Sequence, residues 1–327
     1  MPKLVTIYGG SGFVGRYIAQ RMARAGWRVR VAVRRPNEAM FVRPYGVVGQ
    51  VEPVLCNIRD DASVRAALIG ADAAVNCVGT FDARGKNNFD AVQHLGAARV
   101  ARLAAEAGVA RMVQVSAIGA DAASRSEYQR SKAAGEAAVL AAMPNAMILR
   151  PSIVFGPEDN FFNRFAAMTR LTPVIPLFGA GTRFQPVYVE DIAEAAAKGV
   201  MGEAHGLYEL GGPEVRTFRE LVGLTLQVIR RRRLVIGLPF WKARAAGRVC
   251  DAVHALSGGV IPAAITYDQA LQLRSDNVVS GREWGFEDLG ISPTAMEAVL
   301  ASYLWQFRPA GQYTALQESA RNLKRQP

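Results

Sequence analysis

Two spacings of apolar residues alternate along the first half of the chain. Short apolar runs occur at Lys3–Tyr8, Arg28–Val33, Val51–Leu55, Ala73–Asn76 and Arg111–Val115. Their length and β-branched content predict buried strands. Between them, apolar residues recur every three to four positions over Phe13–Ala25, Asp61–Ile69 and about Asn88–Ala107, which predicts helices packed by one face. Strand–helix alternation of this kind builds a parallel sheet covered on both sides. The second half is less regular. Asp159 to Thr172 reads as a Phe-rich helix, and Thr172 to Gly181 as a Pro/Gly-punctuated loop that could close over a pocket. Thr217 and Glu220 are spaced as a capping box for a helix to about Val228.

The first strand runs into Gly9-Gly10-Ser11-Gly12-Phe13-Val14-Gly15, and a helix follows at once. Glycines at such a turn let the backbone approach a phosphate, and the free N–H groups of the helix start can hold a pyrophosphate. The second strand ends at Arg34 and Arg35, where an NAD site places a carboxylate for the ribose hydroxyls. Guanidinium forks match a phosphate instead. With Arg16 beside the turn, they make NADP(H) the preferred dinucleotide, against the alternative of solvated loop charges. Ile58 and Asp60 follow the third strand, where side chains face the adenine. Cys77, Val78 and Gly79 end the fourth strand at the sheet edge where the cofactor lies.

Ser116 ends the fifth strand, and Tyr128 and Lys132 follow with four-residue spacing, so they share one helix face. An ammonium beside a phenol favours the phenolate, and such a tyrosine can exchange a proton with a carbonyl or alcohol while hydride moves. Glycine turn, strand-end serine and Tyr-x-x-x-Lys in this order resemble the short-chain dehydrogenase/reductase superfamily. Ile148 to Pro157, Gln185 to Ala193 and Tyr208 to Gly212 are similar to its extended and atypical branches. Asp268–Ser280, Phe286–Glu297 and Tyr303–Tyr313 resemble the tail of one atypical branch, the NADPH-binding accessory subunits of respiratory complex I.

That resemblance implies an α/β fold: a Rossmann-type doubly wound sheet over residues 1–150 and a smaller C-terminal α/β region over 151–327, interleaved with the first. It implies bound NADPH, with Gly9, Gly12 and Gly15 at the pyrophosphate. Tyr128 and Lys132 would reach the nicotinamide ribose, and the Pro151-Ser152-Ile153 backbone the carboxamide. NADPH would stabilise the fold without joining electron transfer, and the other complex I subunits would be the partners. Catalysis by Ser116, Tyr128 and Lys132, as in an active NADPH-dependent reductase or epimerase, is the competing reading. A sensor that binds partners according to its cofactor's redox state is a third.

Composition narrows the partners. The 327 residues carry a net charge of +11, half are hydrophobic and a fifth are charged. Such a field suits an anionic surface, but no nucleic-acid module is recognisable. Three cysteines and three histidines show no metal-ligand or redox spacing, so no metal is expected. No run approaches the roughly 18 apolar residues of a membrane span. Arg230 to Lys242 sets four arginines against an apolar run with Phe240 and Trp241. It suits acidic lipid or a docking groove, or else it is a basic loop leading into a core strand. Trp241 to Leu256 reads as an amphipathic helix. Without a visible transit segment, the expected place is the cytoplasmic side of a bacterial inner membrane, peripheral, within complex I.

Overall fold

The computed structural model describes residues 2–81, 85–240 and 267–313. The readings of Trp241 and of the helix to Leu256 fall outside them. The chain divides into two compact units. The first comprises Met1–Ser152, Val189–Gly211 and Val279–Pro293; the second comprises Ile153–Tyr188, Gly212–Val278 and Thr294–Pro327. The chain thus leaves the first unit after Ser152 and returns to it twice.

The first unit is built on one seven-stranded sheet. Its strands are β1 (Leu4–Tyr8), β2 (Arg28–Val33), β3 (Val51–Leu55), β4 (Ala73–Asn76), β5 (Arg111–Val115), β6 (Met147–Pro151) and an edge strand, Gly206–Leu210. In space they run edge strand, β6, β5, β4, β1, β2, β3, and every pairing is parallel. The order reverses between β1 and β4. At such a switch point the two flanking crossovers lie on opposite faces, and a crevice opens at the carboxyl ends. Full burial of Leu4–Tyr8 and of Ala73–Asn76 follows from helices covering both faces.

Helix α1 (Phe13–Arg24) packs with Val189–Met201. Arg21 of α1 pairs with Glu190 at 3.7 Å and with Glu194. Helices α2 (Asp61–Leu68), α3 (Leu95–Glu106) and α4 (Glu127–Ala142) pack side by side. Beneath them Val64, Leu68, Val100, Leu103, Met112, Val139 and Ile148 form one apolar cluster. The long helix read over Asn88–Ala107 is interrupted: Asp90–His94 is a single π turn, and the α-helix starts at Leu95. Gln93 sits in that turn with its carbonyl against Gly135 of α4, where a Cβ would stand 2.2 Å from the oxygen. The extra residue in the turn accommodates this close crossing.

The second unit has its own core, dominated by phenylalanine. Phe161 lies 5.1 Å from the Phe162 ring, 5.3 Å from Phe165 and 5.6 Å from Phe218, with Phe155 and Phe184 close by. Such ring pairs contribute about 0.5–1.5 kcal/mol each beyond their buried area. Helix Phe218–Val228 starts with the capping box read from Thr217 and Glu220. The Thr172–Gly181 reading needs correction. Val174–Phe178 is a strand with Ile175 and Leu177 buried, and it pairs in parallel with Leu234–Leu238. Alternate burial of Ile175 and Leu177 is a period-two signal that the prolines masked.

Candidate functional site

The carboxyl ends of β1 to β6 gather nearly all the residues singled out from the sequence. The glycine turn is the tightest part. Gly9 adopts φ +73°, a conformation that favours glycine, and its N–H donates to the Ala32 carbonyl at 2.9 Å. Gly12 donates to the Gly9 carbonyl at 2.9 Å and is the N-cap of α1, with no side-chain cap and no acidic residue in the first turn. A Cβ on Gly15 would stand 2.4 Å from the Gly9 oxygen and 2.8 Å from the Gly10 Cα. The turn and helix are therefore pressed together, and the N–H groups at Phe13 and Val14, which no side chain caps, lie at the positive end of the helix dipole. Gly10 is buried against Ile7 and Val31, and Ser11 offers its carbonyl to Arg16 at 3.1 Å.

Arg16 lies over the Phe41 ring at 4.8 Å, which holds its guanidinium beside the turn. Arg34 and Arg35 are both exposed just beyond β2, and Arg35 pairs with Glu38 at 3.0 Å. After β3, Ile58 is buried in the apolar cluster. The Asp60 carboxylate accepts from the Ser63 N–H at 3.1 Å and so caps α2. After β4, the Cys77 N–H donates to the Tyr8 carbonyl, and Val78 lies 3.2 Å from where a Gly9 Cβ would be. The β4 end and the glycine turn thus form one wall. Burial pushes the Cys77 thiol up to about 12, with Lys132 opposing, so it is a neutral lining group.

Ser116, Tyr128 and Lys132 stand as the spacing predicts. Ser116 is 5% exposed, and its hydroxyl oxygen has no hydrogen-bond partner among the described residues. A buried hydroxyl without a partner costs free energy, so its persistence points to a ligand oxygen. Ser126 caps α4 through its hydroxyl and so fixes the helix that presents the other two. Lys132 is buried; its ammonium donates to the Val115 carbonyl at 3.4 Å and approaches Gly79. Burial lowers its pKa to about 8, opposed chiefly by the negative charge of Glu136. Tyr128 is half-buried, stacked on Phe81 at 5.5 Å and met edge-on by Phe89 at 5.8 Å. Pro151 and Ser152 end β6, where the Pro151 carbonyl accepts from Ile118 and the Ser152 N–H donates to Leu210. Ile153 belongs to the second unit, where its carbonyl accepts from Val187.

The sequence reading missed several residues that hold this edge. Gln93 donates to the Thr80 carbonyl at 2.6 Å, which ties the segment after β4 to the helix layer. Asn76 donates to Gln114 at 2.9 Å and accepts from the Val78 N–H at 3.1 Å. Phe81 left no periodic signal, because it lies outside a regular element, whereas Phe89 opens the helical run read from Asn88. Among the described residues, no group of three His, Cys, Asp or Glu could hold a metal ion, and no helix is long and apolar enough to cross a membrane.

This edge fits a dinucleotide. It combines a backbone cradle that a Cβ would fill, an uncapped helix start, a buried ammonium and an unpartnered buried hydroxyl. Fold and edge together define a Rossmann-type α/β protein whose candidate site lies at the switch point of the sheet. The model of the NAD dependent epimerase/dehydratase family matches residues 5–201, and the chain belongs to that family.

Its relatives include complex I subunits. NADH dehydrogenase (ubiquinone) 1 alpha subcomplex subunit 9, mitochondrial, of Arabidopsis thaliana is 34% identical over 317 residues, covering 94% of this chain and 79% of that one. Ceramide reductase of Caulobacter vibrioides is 33% identical over 258 residues, covering 78% and 79%. Among solved structures, Thermus thermophilus UDP-glucose 4-epimerase in complex with NAD superposes with a TM-score of 0.68 at 19% identity, covering 94% of this chain and 99% of that one. That last likeness speaks for the fold.

Proposed function

We propose that the chain is an accessory subunit of respiratory complex I that holds NADPH as a structural ligand. The observation that carries this reading is the likeness to complex I subunits along almost the whole chain, the tail included. NADPH is preferred over NADH because β2 ends in Arg34 and Arg35 with Arg16 alongside, a set of donors suited to a 2′-phosphate. Gly9 to Gly15 would receive the pyrophosphate. Ile58 and Asp60 would flank the adenine, and Cys77 to Gly79 would line the cleft. Tyr128 and Lys132 would hold the nicotinamide ribose, and Pro151 and Ser152 the carboxamide. When bound, the cofactor would supply a hydride donor. Its main effect here would be mass action on folding, since a ligand of the native state alone stabilises it.

Docking to the hydrophilic arm and the anionic membrane surface would use the second unit. There Arg231 and Arg233 donate to the carbonyls of Phe307 and Thr169, both at 2.9 Å, and Leu234 and Ile236 are exposed two residues apart on one strand. Deleting this stretch would remove a paired strand, so Leu234→Asp is the cleaner probe.

A second reading has its own support. Ser116, Tyr128 and Lys132 are all present, the Ser116 hydroxyl has no partner among the described residues, and a ceramide reductase is among the relatives. On it, Tyr128 would pass a proton to a carbonyl oxygen held by Ser116, with Lys132 favouring the phenolate.

Purification of the tagged chain from detergent-solubilised membranes separates the two. The accessory-subunit reading expects complex I subunits and one NADPH per chain, loss of the nucleotide from the Arg34→Asp, Arg35→Ala variant, and weaker co-purification for Leu234→Asp. A free protein whose NADPH is consumed by a long-chain ketone, with Tyr128→Phe inactive, would overturn it in favour of the reductase. NADPH retained by the double arginine variant would sink the cofactor assignment.

A further inference from the structure

Helix α4 carries Tyr128, Lys132 and Glu136 at four-residue intervals, so the three side chains stand one above another on a single face. Glu136 is 5% exposed, which is rare for a carboxylate unless it is paired. Its partner is Arg150 of β6. The Arg150 Nε donates to the two carboxylate oxygens at 3.0 and 3.1 Å, and Nη2 donates to Oε2 at 2.6 Å. On its other side Arg150 Nη1 lies 3.9 Å from Glu209 of the neighbouring edge strand, and Glu209 accepts the Ser280 N–H at 2.6 Å. A guanidinium thus sits between two buried carboxylates, one of them a helical turn from the Lys132 ammonium.

Left alone, Glu136 would be the natural ion-pair partner of Lys132, since four-residue spacing suits a Lys–Glu pair. Arg150 is the stronger competitor because its fork engages both oxygens at once. We propose that Glu136 and Arg150 are positioning residues for Lys132: Arg150 holds Glu136 so that the carboxylate keeps the ammonium charged without capturing it, leaving Nζ to donate to the Val115 carbonyl and to the cofactor ribose. The inference rests on the proposed contact of Lys132 with that ribose.

Among the described residues, the groups that face Lys132 are few. Its own helix supplies Tyr128 and Glu136, the end of β4 supplies Cys77 and Gly79, and β5 supplies the Val115 carbonyl. Glu136 is the one carboxylate in this set, so altering it or its guanidinium moves the charge balance in opposite directions. Removing Glu136 leaves the ammonium disfavoured by burial and by an Arg150 that keeps only Glu209 as its carboxylate. Removing Arg150 leaves an uncompensated carboxylate that favours the ammonium but also binds it.

The test is NADPH affinity of the full chain, measured by titration calorimetry from about pH 6 to pH 10, with the melting temperature followed in parallel. Wild type should lose affinity on the alkaline side with a midpoint at about 8, where Lys132 discharges. Glu136→Gln should move that midpoint down by about one pH unit. Arg150→Gln should move it up and also lower the affinity at neutral pH several-fold, because Glu136 then holds Nζ. A purely structural role would lower the melting temperature in both variants and leave the midpoint in place, which would overturn the inference. Midpoints moving the same way would do so too. A flat wild-type profile, or unchanged affinity in Lys132→Met, overturns the ribose contact itself and takes this inference with it. A Lys132-dependent limb that neither variant shifts overturns the inference alone. If Arg150→Gln does not fold, the acid shift of Glu136→Gln, which keeps a neutral partner for the guanidinium, carries the test by itself.

Discussion

Each unit buries an ionisable cluster, and the two clusters are satisfied to different degrees. In the second unit the Asp159 carboxylate is 2% exposed and fully engaged. Its Oδ1 accepts from the N–H groups of Phe161 at 2.9 Å and Asn163 at 3.1 Å, and its Oδ2 accepts from the Tyr303 hydroxyl at 2.5 Å. In the first unit Lys132 has one long bond to a carbonyl, and Ser116 has no partner among the described residues. Folding alone explains the first arrangement, because every buried polar atom there is spent within the protein. It does not explain the second. The contrast separates a structural polar cluster from a candidate binding one, and it also indicates where substitutions should have opposite signs.

The harshest break should come from Gly15→Val. Its Cβ would meet two backbone atoms, the Gly9 oxygen at 2.4 Å and the Gly10 Cα at 2.8 Å, and neither can swing aside like a side chain. We expect loss of bound nucleotide and destabilisation of about 3 kcal/mol or more, at the upper end of overpacking costs. Nucleotide content and denaturant unfolding read both. A variant that keeps its nucleotide would mean that this turn is not the cradle.

Lys132→Met sharpens the comparison through its sign. Burial depresses the Lys132 pKa to about 8 from an unfolded value of about 10.4, so charging the buried amine costs about 3 kcal/mol. By linkage, the unfolded chain binds more protons than the native one between these values. The cost is therefore fully present below about pH 8 and fades as the pH rises towards about 10.4. Nucleotide-free Lys132→Met should accordingly melt higher than wild type at neutral pH, with the gain shrinking on the alkaline side, while NADPH binding falls. Stability gained as binding is lost is the mark of a functional group. A melting temperature that drops at neutral pH would place Lys132 with the structural cluster instead.

Much of the site could be read before the fold was known, and the reason is local chemistry. Gly9 to Gly15, Ser116 and the Tyr128–Lys132 pair each announce themselves within a few residues, because a turn, a strand end or one helix face suffices to place them. Strand boundaries at Arg28–Val33, Val51–Leu55 and Ala73–Asn76 were legible for the same reason: Ala73–Asn76 is buried throughout, and the other two carry closely spaced valines, of which Val29, Val31, Val33 and Val51 are buried. What stayed hidden depends on distant partners. Glu136 reads as an ordinary helix-surface charge until Arg150 is brought against it, and Gln93 as a solvated polar residue until Thr80 and Gly135 arrive. Val174–Phe178 was obscured by Pro173 and Pro176, which the strand tolerates beside a single partner strand. The legible part of the site binds through backbone geometry, and the hidden part tunes charge through tertiary contacts.

The smallest expected effect falls on the satisfied cluster. Tyr303→Phe removes one donor from Asp159 and leaves the others, so the loss should be about 1–3 kcal/mol, the range for a buried acceptor that loses a partner. Nucleotide content should not change, because Asp159 and Tyr303 belong wholly to the second unit. Burial raises the Asp159 pKa, with the Tyr303 hydroxyl and nearby backbone N–H groups opposing. A carboxyl with a raised native pKa contributes stability that is present below its unfolded value of about 3.9 and is lost as the pH rises through the native value. Without the hydroxyl the native pKa climbs further, so the penalty of Tyr303→Phe should be larger at about pH 7 than at about pH 3.9, the unfolded value. Melting curves at the two pH values check this. An equal penalty at both would mean that the hydroxyl acts through packing rather than through the carboxylate. A loss of NADPH would mean that the buried cluster of the second unit serves the cofactor after all, and the distinction between spent and waiting polar groups would have to be drawn elsewhere.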